Sequence, residues 1–92
     1  MTVAADIADK LNAAFRPSEL VVTDDSHRHA GHAGASPAGE THFHVRIVAA
    51  AFAGQSRVAR QRALYKVLAA ELAGPVHALA LEALTPAEAA GR

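Results

Sequence analysis

From Thr41 onward the chain alternates without a break: Thr41, Phe43, Val45 and Ile47 fall on one side, His42, His44 and Arg46 on the other. A two-residue period of this kind marks a half-buried strand, one face on a core and one toward solvent. It also begins abruptly. Residues 26–39 are Gly, Ala, Pro, Ser, His and one Arg, with no apolar period, so they read as a flexible loop. Ahead of that loop, Leu20-Val21-Val22-Thr23 is a β-branched run that ends in the turn formers Asp24-Asp25. The expected centre is therefore a long hairpin, with strands near residues 19–23 and 41–49. Its tip is loaded with imidazole, because five of the six histidines lie between residues 26 and 44. Imidazole titrates near neutral pH and is the commonest metal ligand.

The flanking segments supply the layer that covers this hairpin. Ile7, Leu11, Ala14 and Phe15 recur at helical spacing, predicting an amphipathic helix over residues 3–15. Thr2 is placed to cap it, Asp6 suits its first turn, and Pro17 stops it by pushing Arg16 out of the α region. After a short connector over residues 50–54, in which Phe52 is expected to plug the core, Ser56 is a good N-cap for a second, long helix. Gly74-Pro75 ends that helix. Val58, Leu64, Val67, Leu68 and Leu72 form its expected apolar stripe, with Tyr65 at the edge. VHALAL, residues 76–81, is the third strand, closed by Leu84 and Thr85-Pro86, and residues 86–92 read as a frayed tail.

The fold class is α+β: helix, strand, strand, helix, strand, with room for an extra helical turn before the long helix. A three-stranded mixed sheet should carry the helices on one face, all in a single domain over residues 1–92. A strand, one long helix and a strand in the same sheet make a parallel, right-handed crossover. The third strand then starts where the second does, which brings His77 beside the histidine loop and close to His42.

Composition limits the function. Ninety-two residues that are 51% hydrophobic and 20% charged make one folded domain. A formal net charge of zero gives no global pull toward nucleic acid or an acidic membrane. No apolar run approaches membrane-spanning length, and acids interrupt the N-terminal apolar pattern, so no signal peptide is expected. The absence of cysteine fits a reducing, cytoplasmic compartment and excludes thiolate chemistry by this chain. Any metal must be held by nitrogen or oxygen, or a partner must bring the sulfur. Ser26, His27 and Asp24 or Asp25 are the residue types of a catalytic triad, but such close sequence neighbours do not readily face one another in that geometry. No nucleophile elbow, carboxylate pair or phosphate loop is present, so an enzyme is not expected.

Two features remain for binding. Arg57, Arg60, Arg62 and Lys66 crowd the N-terminal half of the long helix, with Glu71 near its end, opposite to the preference of the helix dipole. They form either a solvated face or a docking surface for an anionic partner. The histidines are the other feature. His42 and His44 are expected to be solvated on the open strand face, and His27 and His29 flank Arg28 in a turn. Imidazoles on a loop facing a fixed His77 would make an open metal site, completed by another molecule, since a Gly/Ala-rich loop does not preorganise a full zinc site. A plain zinc- or copper-binding loop is a further reading.

These segments resemble the BolA family: VVTDDSHRH, GETHFHVRIV, FAGQSRVARQRALYKVLAAEL and GPVHALAL, all lying within residues 20–84. The resemblance implies a fold like a type II KH domain without its GxxG nucleotide clamp. It implies one of two functions. The first is partnership with a monothiol, CGFS-type glutaredoxin across a shared [2Fe-2S] cluster, with glutathione on the partner side and no cofactor in the isolated protein. The second is DNA binding in transcription regulation. Carried over by position, the family histidine at the start of the last strand is His77, and the loop ligand is His32, with His29 as the alternative. Where the family has Arg-His-Arg in the long helix, this chain has Arg60-Gln61-Arg62. Homodimerisation is left open.

Overall fold

The computed structural model describes residues 2–25, 42–74 and 76–91. Helix α1, Val3–Phe15, begins where Thr2 accepts a hydrogen bond from the Ala5 amide at 3.0 Å. It ends at Arg16, whose φ of 47° places it in the left-handed region. Pro17 explains the departure from α geometry, and the Arg16 amide still donates to the Asn12 carbonyl at 3.0 Å. Strand β1, Glu19–Asp24, pairs antiparallel with β2, His42–Val48. A 3₁₀ turn over Ala50–Phe52 buries Phe52 completely and stacks its ring 5.1 Å from that of Phe15.

The long helix forms in two pieces, α2 (Arg57–Val67) and α3 (Ala69–Ala73). The Ser56 hydroxyl caps the first by accepting from the Ala59 amide at 3.1 Å. Between the pieces Leu68 is fully buried with φ −99° and ψ 19°, outside the helical well. Strand β3, Ala78–Leu84, then pairs parallel with β2, giving the sheet order β1-β2-β3. This is the expected α+β architecture. Phe43, Val45 and Ile47 of β2 face a core built from Ile7 and Leu11 of α1, Leu64 and Leu68 of the long helix, Phe52 and Val76. Leu79, Leu81 and Ala83 of β3 pack against it.

Three expectations need correction. The third strand runs from 78 to 84, not 76 to 81, because the Val76 amide is spent on the Glu71 carbonyl at 2.9 Å and still closes the helix. Its far end extends through Glu82, which is tolerated there because it pairs with Arg46 of β2 at 3.1 Å. The tail does not fray at 86: Pro86–Ala90 is a helix, α4, begun by a capping box in which Thr85 and Glu88 satisfy each other's backbone amides. Val58 is 56% exposed and not part of the apolar stripe. The buried positions run 60, 64, 68, one every four residues, so the inward place on the first turn belongs to Arg60. The sequence expectations for the loop at 26–39 lie outside the described residues.

Phe52 has no exposure and belongs to the core cluster that includes residues of α1, α2 and β2. Phe52→Ala should lower stability by about 3–5 kcal/mol in urea unfolding, with no change in the histidine resonances of folded protein.

Candidate metal-binding end of the sheet

The parallel register pairs His42 with Ala78, the residue after His77. The two chains therefore enter the sheet at the same end, and the imidazoles meet there with ring centroids 5.5 Å apart and planes tilted by 51°. The proximity expected from chain order is present. The environment of His42 is not the expected one. Its ring is 7% exposed instead of solvated, because the start of β3 runs alongside it. The His42 carbonyl accepts from the Asp25 amide at 2.8 Å, which ties the strand start to the end of β1. His77, just outside the strand, is exposed. A hollow of about 280 Å³ lined by Asp25, His42, Phe43, Ala78, Leu79 and Ala80 adjoins the pair. His29 and His32 lie outside the described residues. Among the described residues no group of three or more His, Asp or Glu side chains is arranged around a metal position.

His44 and Arg46 continue the outer face of β2. Arg46 sits between two carboxylates from the neighbouring strands, with Nε 2.6 Å from Glu19 Oε2 and Nη1 3.1 Å from Glu82 Oε1. Hydrogen bonds to Glu19 and then Glu82 raise the Arg46 guanidinium above its ordinary range. The open face thus carries its own counter-charges.

The four basic residues of the long helix separate into different roles. Arg60 is 6% exposed. Its Nε donates to the Gln55 carbonyl at 3.1 Å, its Nη1 to the Ala83 carbonyl at 3.0 Å and to Glu88 Oε1 at 2.7 Å, and its guanidinium lies 6.0 Å from the centre of the Phe52 ring. It is a bolt joining α2, β3 and α4, not a surface charge. Arg57, Arg62 and Lys66 are exposed, but Arg57 lies about 140–180° around the helix from the other two. Arg57 borders a cleft of about 260 Å³ with Arg60, Gln61, Leu81 and Glu82. Glu71, misplaced for the helix dipole, is 10% exposed and paired with Lys10 of α1 at 2.7 Å. Arg60 was the residue whose role the sequence misassigned. The signal that identifies it is its position four residues before the buried Leu64.

The sequence profile of the BolA-like protein family matches residues 11–88. A protein of Sinorhizobium sp, described as an uncharacterized protein in the cobS 5' region, is 48% identical over 89 residues, 96% of each chain. The solved BolA domain of SufE1 from Arabidopsis thaliana superposes with a TM-score of 0.83 at 47% identity, covering 92% of this chain and 93% of that one. The DNA-binding transcriptional regulator BolA of Escherichia coli is 44% identical over 85 residues, 92% of this chain and 77% of that protein. The chain belongs to the BolA-like family. It spans 23% of the whole Arabidopsis SufE-like protein 1 and 60% of the mouse BolA-like protein 1, so it corresponds to one part of those longer proteins. Among the described residues no helix is long and apolar enough to cross a membrane.

The hydrogen bond from Arg60, and then that from the Thr85 amide, lower the Glu88 carboxyl from 4.5 to about 2. A depressed carboxylate stabilises the fold above its unfolded value of 4.5 and loses that contribution as pH falls toward about 2. Glu88→Gln should be less stable than the parent near neutral pH, and the gap should close across that window. Chemical denaturation at a series of pH values checks this.

Proposed function

We propose that this chain is a non-enzymatic adaptor that shares a [2Fe-2S] cluster with a monothiol glutaredoxin, in iron-sulfur trafficking or in iron and redox regulation. The observation that carries the reading is the imidazole pair at the common start of β2 and β3, with His77 exposed. The donor chemistry fits half of such a cluster. A [2Fe-2S] centre takes four ligands, and two neutral imidazoles on one iron can stand where two thiolates otherwise would. A chain without cysteine offers that nitrogen half and leaves the sulfur half to the partner's cysteine and glutathione. The ligands in this reading are His77, at the folded end of the sheet, and His32, or else His29, by family resemblance. Bound there, the cluster would have a higher reduction potential than one held by four thiolates. The chain's own work is to present an exposed imidazole at a rigid sheet end.

Mixing the chain with a CGFS glutaredoxin, iron, sulfide and glutathione should give a visible spectrum distinct from that of the glutaredoxin alone. His77→Ala should lose it. A mixture whose spectrum is the simple sum of its parts rules the reading out.

The Escherichia coli relative's description as a DNA-binding regulator favours a second reading, DNA binding through the exposed bases of the long helix. With Arg60 engaged inside the fold, one helix face presents only Arg62 and Lys66. Two phosphate contacts give a log–log salt slope of about −1.8, against about −3.6 for the four expected from sequence. Binding that survives Arg62→Ala with Lys66→Ala, measured by fluorescence anisotropy across a salt series, excludes this surface.

A further inference from the structure

We infer that the free edge of β3, with the cleft between it and α2, takes an extended segment of another protein as an added strand, one that brings an acidic side chain to Arg57. No histidine takes part, so the inference goes beyond the adaptor reading and stands apart from it.

The direction of the backbone groups carries it. The Leu84 carbonyl accepts from the Ala49 amide, just past β2, at 2.9 Å. Backbone groups alternate sides along a strand, so those of residues 78, 80, 82 and 84 face β2, and those of Leu79, Leu81 and Ala83 face outward. The Ala83 carbonyl confirms this, since it accepts from Arg60 Nη1 at 3.0 Å and not from β2. Among the described residues no strand pairs on that side, and no hydrogen bond reaches Leu79 or Leu81 from it.

A cleft of about 260 Å³ runs along this edge. It is lined by Leu81 and Ala83, which pack toward the core, and by Glu82, whose carboxylate meets Arg46 on the outer face. Arg57 and Gln61 of α2 form its other wall. A space bordered by residues of both sheet faces passes the side of the strand. Unpaired amides and carbonyls repeating there at strand spacing match the backbone of an extended peptide, with main-chain bonds giving affinity and the wall giving selectivity.

Charge selects the occupant. Arg57 is exposed at the cleft, and among the described residues no carboxylate pairs with it. Arg60 already holds Glu88, and Glu82 already holds Arg46. A second copy of β3 would bring only Glu82 as an acid, bound to its own Arg46, so a foreign strand with a free carboxylate suits the edge better than a copy does. Arg60 also sets where pairing stops. It occupies the Ala83 carbonyl, so the new ladder ends at the Ala83 amide and the added strand is short.

The test uses the unmodified full chain. In hydrogen exchange of the free chain, the amides of Leu79, Leu81 and Ala83 should exchange at least about tenfold faster than those of Ala80 and Glu82, which the ladder protects. Random peptides displayed on phage are then selected against the same chain. The binders should carry an acidic residue beside alternating β-branched ones, and a synthetic copy of one should slow exchange at Leu79, Leu81 and Ala83. Arg57→Glu should weaken that peptide by about threefold or more, whereas Arg16→Glu, next to the opposite edge strand β1, should leave affinity within about twofold. Outward amides already protected in the free chain, by its own residues or by a second copy, overturn the inference. So does a selection without binders, protection centred elsewhere, or an affinity indifferent to Arg57→Glu. None of these results touches the glutaredoxin reading, which is measured on the spectrum of the mixture.

Discussion

The parallel ladder between β2 and β3 sets where the histidine at the second strand's entry and the one at the third's fall relative to each other. Antiparallel pairing would have put them at opposite ends of the sheet. A parallel pair demands a long crossover, and α2 with α3 supplies it, capped by Ser56 at the start and closed by Val76 donating to Glu71 at the end. The register His42 to Ala78 is held in turn by the buried side chains Phe43, Val45 and Ile47, with Leu79 and Leu81 packed beside them. A slip of one residue would turn all of them to the wrong face. The approach of the two histidines at the sheet end is thus protected by the cost of disturbing the core.

Electrostatics are used locally. Arg46 is neutralised from both sides by Glu19 and Glu82, Glu71 by Lys10, and Arg60 by Glu88. A chain with zero formal net charge has directed several of its cations inward or sideways. Arg57, Arg62 and Lys66 are left exposed on the long helix, divided between two sides. The basic cluster that looked continuous along the sequence is discontinuous in space.

Much of this was legible before any coordinates. Helix α1 was readable to the residue because Thr2, the spacing of Ile7 and Leu11, and Pro17 each speak for the same boundaries. The β2 strand was readable because alternation is unambiguous when one face is aromatic or branched. The crossover, and with it the approach of His77 to His42, followed from element order and the handedness of such connections. What failed was context. A histidine on the nominally open face gave no sign that the next strand would run alongside it. Arg60 shares its charge with its neighbours and differs from them in position, four residues before the buried Leu64. The final helix was signalled in plain residues, Thr85-Pro86-Ala87-Glu88, a capping box with proline at the first helical position. The alanines that follow carry no apolar period, so no amphipathic pattern reinforces that signal.

Among the described residues strand β3 is an edge, with one side paired to β2 and the other paired to no strand. An open edge is a template on which another chain can add itself. Here the Ala83 carbonyl is occupied by Arg60, whose guanidinium is steadied by Glu88. A strand sliding along that edge would have to strip away a charged donor and leave it buried against the ring of Phe52. The short terminal helix buries no residue of its own, yet through Glu88 it holds the Arg60 guanidinium on this edge. Cleavage between Leu84 and Pro86 would remove Glu88 and leave the buried Arg60 guanidinium without its carboxylate beside the edge strand.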